Sequence, residues 1–198
     1  MRAPRIETEV RKEQIAEAAL EIVGSQGIHA LTMDGIAAMI GVVPSALYKH
    51  FKNKQQIMLA ILELIQESLR KNYNSAIALG RTPLEKLNNL FHGEVRFLIK
   101  NPAGPMIFSL QMAKYGPESK KMTESLMFGA QMHQSVAELI RTGQKAGEIR
   151  ADIPADNLVF FYFSMVHQFG MVIKHGTVDV VKHTEYAWKC FFDMIRKR

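Results

Sequence analysis

The chain of 198 residues holds a single cysteine, Cys190. No disulfide can close within it, and a reducing, cytoplasmic setting is expected. Strand signals are scarce too: no stretch sustains period-two alternation across a hairpin pattern, which argues against sheet architectures. Long apolar runs are missing. The most membrane-like stretch, Leu158 to Ile173, is shorter than the roughly 20 residues of a spanning helix and contains Tyr162, Ser164, His167 and Gln168. It reads as a buried or interface helix, and no membrane partner is expected. The opening residues, Met1 to Glu7, place no apolar run behind their charges, so no secretory leader is expected. Enzyme signatures are also lacking: there is no nucleophile elbow, phosphate loop, dinucleotide fingerprint or paired-carboxylate motif. Neither catalytic residues nor a cofactor is expected.

One further absence is local. Between Asp34 and Glu63 there is no acidic residue, while Lys49, Lys52 and Lys54 are all basic. The whole chain carries 25 Lys and Arg against 19 Asp and Glu, a formal charge of +6. That excess favours polyanionic partners only weakly by itself, but a surface that meets phosphate should be free of acids.

Helical periodicity fills the space that strands leave. Ile15, Ala18, Ala19, Ile22 and Val23 form the stripe of an amphipathic helix, with Gly24 and Gly27 read as its stop. Thr32 stands as N-cap before Met33, Ile36, Ala37 and Ile40, and Gly41 closes that short helix. Pro44 suits a first helical position, and Leu47 and Phe51 lie four apart on an inward face. Asn53 with Gln56 marks the start of a long helix ending by Gly80. Thr82-Pro83-Leu84-Glu85 opens a helix to about Lys100, and Asn101 to Pro105 breaks the chain. Further helices are expected over Met106 to Lys114 (ended by Gly116-Pro117), about Glu118 to Lys145 (stopped at Gly147), from just after Pro154 to near Gly176, and about Val178 to Arg196. The fold class is therefore all-α: a three-helix N-terminal domain over residues 1–52 and a six-helix domain over 53–198.

Short helix, Gly turn, short helix and basic end, from Thr32 to Lys54, is the build of a helix-turn-helix. The first helix braces a second that enters the major groove. Ser45 and Ala46 are small enough for close approach to base edges, and Tyr48 offers a hydroxyl and a ring to phosphate or a thymine methyl. Over about Ile15 to Ile57, the residues Thr32, Ile36-Ala37, Gly41-Val42, Leu47-Tyr48, His50-Phe51, Asn53-Lys54 and Ile57 resemble the signature of TetR-type transcriptional regulators. The resemblance implies a DNA-binding head, a variable ligand-binding domain and dimerisation through the last two helices. It also implies roles: Thr32 caps and bonds a phosphate, Ser45, Ala46, Tyr48 and Lys49 face the groove, His50 lies near the DNA backbone, and Lys54 meets a phosphate. Val43 stands where the family commonly has Ser, and Ser45-Ala46 where Gly-Thr is frequent, so the DNA sequence read is expected to differ.

Twelve methionines are many for this length, and seven fall between Met106 and Met171. Thioethers repack around varied apolar guests. Met106, Phe108, Met112, Met127, Phe128 and Met132, with His167 as a polar anchor, are the candidate contacts of a largely apolar effector. Met122 and Tyr115 lie in the same stretch. His92, His133 and His167 lack metal-ligand spacing, and no metal is expected. Cys190 reads as a packed thiol. Leu158 to Ile173, with Ala187, Trp188, Phe191, Phe192 and Ile195, carries enough apolar surface for a four-helix homodimer interface. The expected partners are double-stranded DNA with a palindromic operator, the effector and a second copy. Two other readings remain: a helical enzyme with an apolar pocket, and an interaction module with a basic patch.

Overall fold

The computed structural model describes residues 5–116, 119–175 and 179–197. Among them are nine α-helices and one 3-10 turn: α1 Arg5–Gln26, the turn Ile28–Ala30, α2 Met33–Met39, α3 Pro44–Leu47, α4 Lys54–Leu79, α5 Pro83–Lys100, α6 Gly104–Tyr115, α7 Lys120–Lys145, α8 Ala155–His175 and α9 Val180–Ile195. No strand occurs among them, only an isolated bridge between Ile149 and Arg196. No helix of the described residues is long and apolar enough to cross a membrane.

Local chemistry sets most boundaries. The Gly35 amide donates to Thr32 Oγ1 at 3.0 Å, capping α2, and Thr82 with Glu85 forms a reciprocal capping box on α5. At α4 the Gln56 amide donates to Asn53 Oδ1, while the Gln56 side chain accepts from Lys52 N rather than Asn53 N. Positive φ at Gly27, Gly41, Gly116 and Gly147 ends four segments in a conformation that side chains with a Cβ avoid.

Three boundaries differ from expectation. Gly24 lies inside α1, exposed, where a glycine merely weakens the helix; Gly27, with φ 85°, ends it. The turn Ile28–Ala30 has no periodic pattern to announce it. Gly104 and Pro105 belong to the first turn of α6 instead of breaking the chain, because a proline costs no hydrogen bond there. Pro117, Glu118, Gly176 and Val178, named as boundary residues from the sequence, lie outside the described residues.

Contacts divide the chain into two compact units, one holding the residues up to Glu67 with Ala103–Ser125, the other holding Ser68–Pro102 with the residues from Leu126 on. In the first, the α1 stripe packs with Ile36, Ala37, Leu47, Phe51, Ile57 and Ile61, and with Ile107 and Met122. In the second, Phe91 of α5 is a hub. Its ring meets Tyr162, Phe169 and Trp188 at centroid distances of 6.2, 5.9 and 5.7 Å. Beside it the hydroxyl of Tyr162 donates to Glu94 Oε2 at 2.6 Å, both groups buried. The chain after α7 is tied to the end of α9: Arg150 N donates to Ile195 O and Lys197 N to Glu148 O.

Cys190 is exposed, contrary to the packed thiol expected. Thr184, Phe191 and Ile195 share the buried face of α9, and position 190 is turned about 100° from Phe191.

Two outcomes test this packing. Burial pushes the Glu94 carboxyl from its ordinary 4.5 up to about 7, only partly opposed by the Tyr162 hydrogen bond. The unfolded chain then releases this proton before the folded one. Stability is lost as pH rises from about 4.5 to about 7, by roughly 3 kcal/mol in total. Glu94→Gln should remove that decline, so thermal melts of variant and parent diverge between about pH 5 and about pH 8, in the variant's favour. Parallel melting curves over that window would contradict it. Thr32→Ala should cost about 1 kcal/mol through loss of the α2 cap, measured by chemical denaturation.

Candidate nucleic-acid interface

The residues from Thr32 to Phe51 fold as two short helices about a tight turn. After Met39 the chain reverses at Gly41, φ 69°, and the Val42 amide returns to Ala37 O at 2.9 Å. Val43, extended and without a side-chain cap, leads into α3 with Pro44 in its first turn. The preset backbone of proline takes the place of a capping hydroxyl. α3 is a single turn, continued by amides of His50 and Phe51 that both donate to Leu47 O.

Burial sorts these side chains. Leu47 is fully buried and Phe51 nearly so, which turns the rest of the segment outward. Ser45 and Lys49 are exposed, Tyr48 is 54% exposed, and Ala46 is half-buried. Val43, 64% exposed, stands next to this face. The sequence marked it only as a departure from the family pattern, and an exposed apolar residue beside Ser45 is the type that meets a thymine methyl.

His50 is half-buried and its Nδ1 has no partner. Burial, then the charges of Arg11, Lys12 and Lys49, holds its imidazole below the ordinary value. α1 thus brings two cations to the same neighbourhood. Thr32 Oγ1 is engaged in its cap. Lys54 donates from Nζ to Ile28 O at 3.3 Å, across to the 3-10 turn.

The expected effector residues fall in both units. Met106, Phe108 and Met112 are half-buried on α6 against the first core, where Ile107 and Gln111 face inward. Gln111 donates to Met58 Sδ at 3.3 Å, and its Oε1 has no partner. In the second unit Met127 is 58% exposed, Met132 is half-buried, and Phe128 carries the Arg70 guanidinium 5.3 Å above its ring. His167 is exposed. His133 stacks flat on Phe163 at 3.9 Å, and burial holds its imidazole low. His92 lies between Asn88 O and Glu185 Oε1. Among the described residues no three His, Cys, Asp or Glu side chains gather as a metal site.

The apolar surface of the last two helices divides in a similar way. Leu158, Phe191 and Ile195 are buried in the second core, and Ala187, Trp188 and Phe192 are half-buried. Phe160 and Phe161 on α8, with Val181 and Tyr186 on α9, remain exposed.

Residues 15–61 match the family model of bacterial regulatory proteins of the tetR family. The transcriptional repressor KstR2 of Mycolicibacterium smegmatis is 24% identical over 152 residues, which cover 74% of this chain and 71% of that protein. In fold, the chain is similar to the ketosteroid transcriptional regulator KstR2 of Mycobacterium tuberculosis, with TM-score 0.75, 19% identity and coverage of 95% of this chain and 96% of the other. A transcriptional regulator from Saccharomonospora viridis, solved in complex with choline, gives TM-score 0.77 and 21% identity over 96% of this chain and all of that one (100%). These relatives regulate transcription, and none is named as an enzyme. Over residues 15–61 the chain carries the pattern of the tetR family of bacterial regulatory proteins, and the relatives it resembles over most of its length are regulators of transcription.

Proposed function

We propose that this regulator is a ligand-responsive repressor: a cytoplasmic homodimer that binds a palindromic operator and leaves it when a largely apolar small molecule binds. One observation carries the DNA reading. Ser45, Tyr48 and Lys49 stand exposed on the turn whose Leu47 is buried, inside a window free of acidic residues. In this reading residues 1–52 are the DNA-binding domain and 53–198 the sensing and dimerisation domain. Ser45, Ala46, Tyr48 and Lys49 meet bases and groove edges, and Thr32, His50 and Lys54 meet the phosphate backbone. Phe160, Phe161, Val181 and Tyr186 supply the surface on which two copies pair. Pairing sets the two heads about one DNA turn, roughly 34 Å, apart.

For the effector, the support is the methionine and aromatic content of α6 and α7, and the company the fold keeps: one neighbour is named for ketosteroids and another was solved with choline. Met106, Phe108 and Met112 form one set to test, and Met127, Phe128, Met132 and His167 another. The fourth helix runs through both units, residues 54–67 in one and 68–79 in the other, so a guest that prefers one placement of α4 alters the heads. A preference of ~2–3 kcal/mol weakens DNA binding ~30–150-fold.

Footprinting on DNA flanking the gene, followed by anisotropy titrations with the protected duplex, tests the DNA reading. Affinity should fall steeply with salt. Lys54→Ala should weaken specific and random duplexes alike, and Tyr48→Ala should change the preference among sequences by about 1–3 kcal/mol. A protein that stays monomeric and prefers no duplex over bulk competitor would sink the proposal. For the effector, Met112→Ala and Met127→Ala made separately should lower the response to an apolar inducer without altering operator affinity. Release unchanged in both variants would remove these sets from consideration.

A further inference from the structure

A cleft lies in the unit formed by the later part of α4, α5, most of α7, α8 and α9, and it shares no residue with the effector sets above. It has a volume of about 360 Å³ and is lined chiefly by Asn72, Asn89, His92, Arg96 and Glu185, with Ala76 and Leu79 along one side. That size falls within the range of small-molecule sites.

Its polar groups are unevenly satisfied. The Asn72 amide nitrogen is buried and has no partner. Its position depends on Gly93: a Cβ there would stand 1.9 Å from Asn72 Oδ1, so only glycine lets the amide lie against α5. Among the described residues the Arg96 side chain has no carboxylate within 4.0 Å and makes no hydrogen bond. Glu185 is held from one side, since its Oε1 faces His92 Nε2 at 3.2 Å, while the other ring nitrogen is anchored at Asn88 O. A guanidinium and a carboxylate therefore line one cleft without pairing with each other, next to an amide with unused donors.

We propose that this cleft binds a small zwitterion. Its carboxylate meets the Arg96 guanidinium and the Asn72 amide, its ammonium meets Glu185, and its short carbon chain lies along Ala76 and Leu79. Arginine forks match carboxylates in two parallel hydrogen bonds, which gives the site its polarity and direction. Glu185 rejects a simple anion, and Arg96 rejects a simple amine, so both charges are required of the guest.

Calorimetric titration of the full chain with γ-aminobutyrate, butyrate and butylamine tests this. The zwitterion should bind at least about tenfold more tightly than either singly charged analogue. Arg96→Ala and Asn72→Ala should each weaken it about tenfold, and Glu185→Gln should abolish the preference over butyrate. Arg96 and Glu185 are exposed, so their variants should keep the parent's melting curve and operator binding. No binding of γ-aminobutyrate up to about 10 mM, where an interaction of only ~3 kcal/mol would still be visible, overturns the proposal. So does binding that Arg96→Ala and Asn72→Ala leave unchanged. DNA binding is measured separately, so failure here leaves the operator reading intact.

Discussion

Burial of Leu47 and Phe51 is the constraint on which the first unit turns. Each contributes about 1.5–3 kcal/mol by leaving water, and together they fix a single turn of helix against α1 and α4. α3 is too short to hold itself by its own hydrogen bonds. Its orientation is therefore a product of tertiary packing, with the positive φ of Gly41 and the preset backbone of Pro44 aiming it. Once Leu47 points inward, Ser45, Tyr48 and Lys49 have no choice but solvent. The proposed reading face is thus the remainder left after the core is satisfied.

The second unit follows a different principle. Its core takes in polar groups: Glu94 and Tyr162 are buried against each other amid the aromatic cluster around Phe91. Such a pair fixes how α5 and α8 meet more narrowly than apolar contact does, because a shift of either helix strands a buried oxygen. It also makes the unit sensitive to the charge of one carboxyl, which burial moves into the neutral range. The closeness of Asn72 to Gly93 is a similar fixed point between α4 and α5.

This contrast accounts for what the sequence could disclose. Caps and turns rest on hydrogen bonds between near neighbours, so Thr32, Gly41, Pro44, Thr82 with Glu85, and Gly147 were all legible as punctuation. The buried stripe of α1 and the inward face of Leu47 and Phe51 were legible because period and burial coincide there. Tyr162 was legible only as a polar interruption of an apolar run, and Glu94 gave no signal at all. Their burial depends on a partner 68 residues away. Cys190 misled for a related reason: an apolar helix does not declare which of its residues face the core until Thr184, Phe191 and Ile195 are seen to share one side. The acid-free window, by contrast, is a statement about composition and survives any packing.

That window leaves the head electrically incomplete. Lys49 and Lys52 are exposed and have no carboxylate within ion-pair distance among the described residues, and the lysine at 54 finds only a backbone carbonyl. His50 records the same surplus from within, since Arg11, Lys12 and Lys49 add to burial in disfavouring its cation. A protein that needed this face only for solubility would gain by scattering acids among the bases, because like charges so close destabilise the folded chain. Here the compensating charge is absent from the segment for 28 consecutive positions, from Gly35 to Leu62. In the proposed function a phosphate backbone supplies it from outside, and releases its own counterions in doing so. Under the proposed function, binding to a duplex relieves the cost of holding like charges together in the free protein, and that relief lets a helix of one turn serve as a reading head.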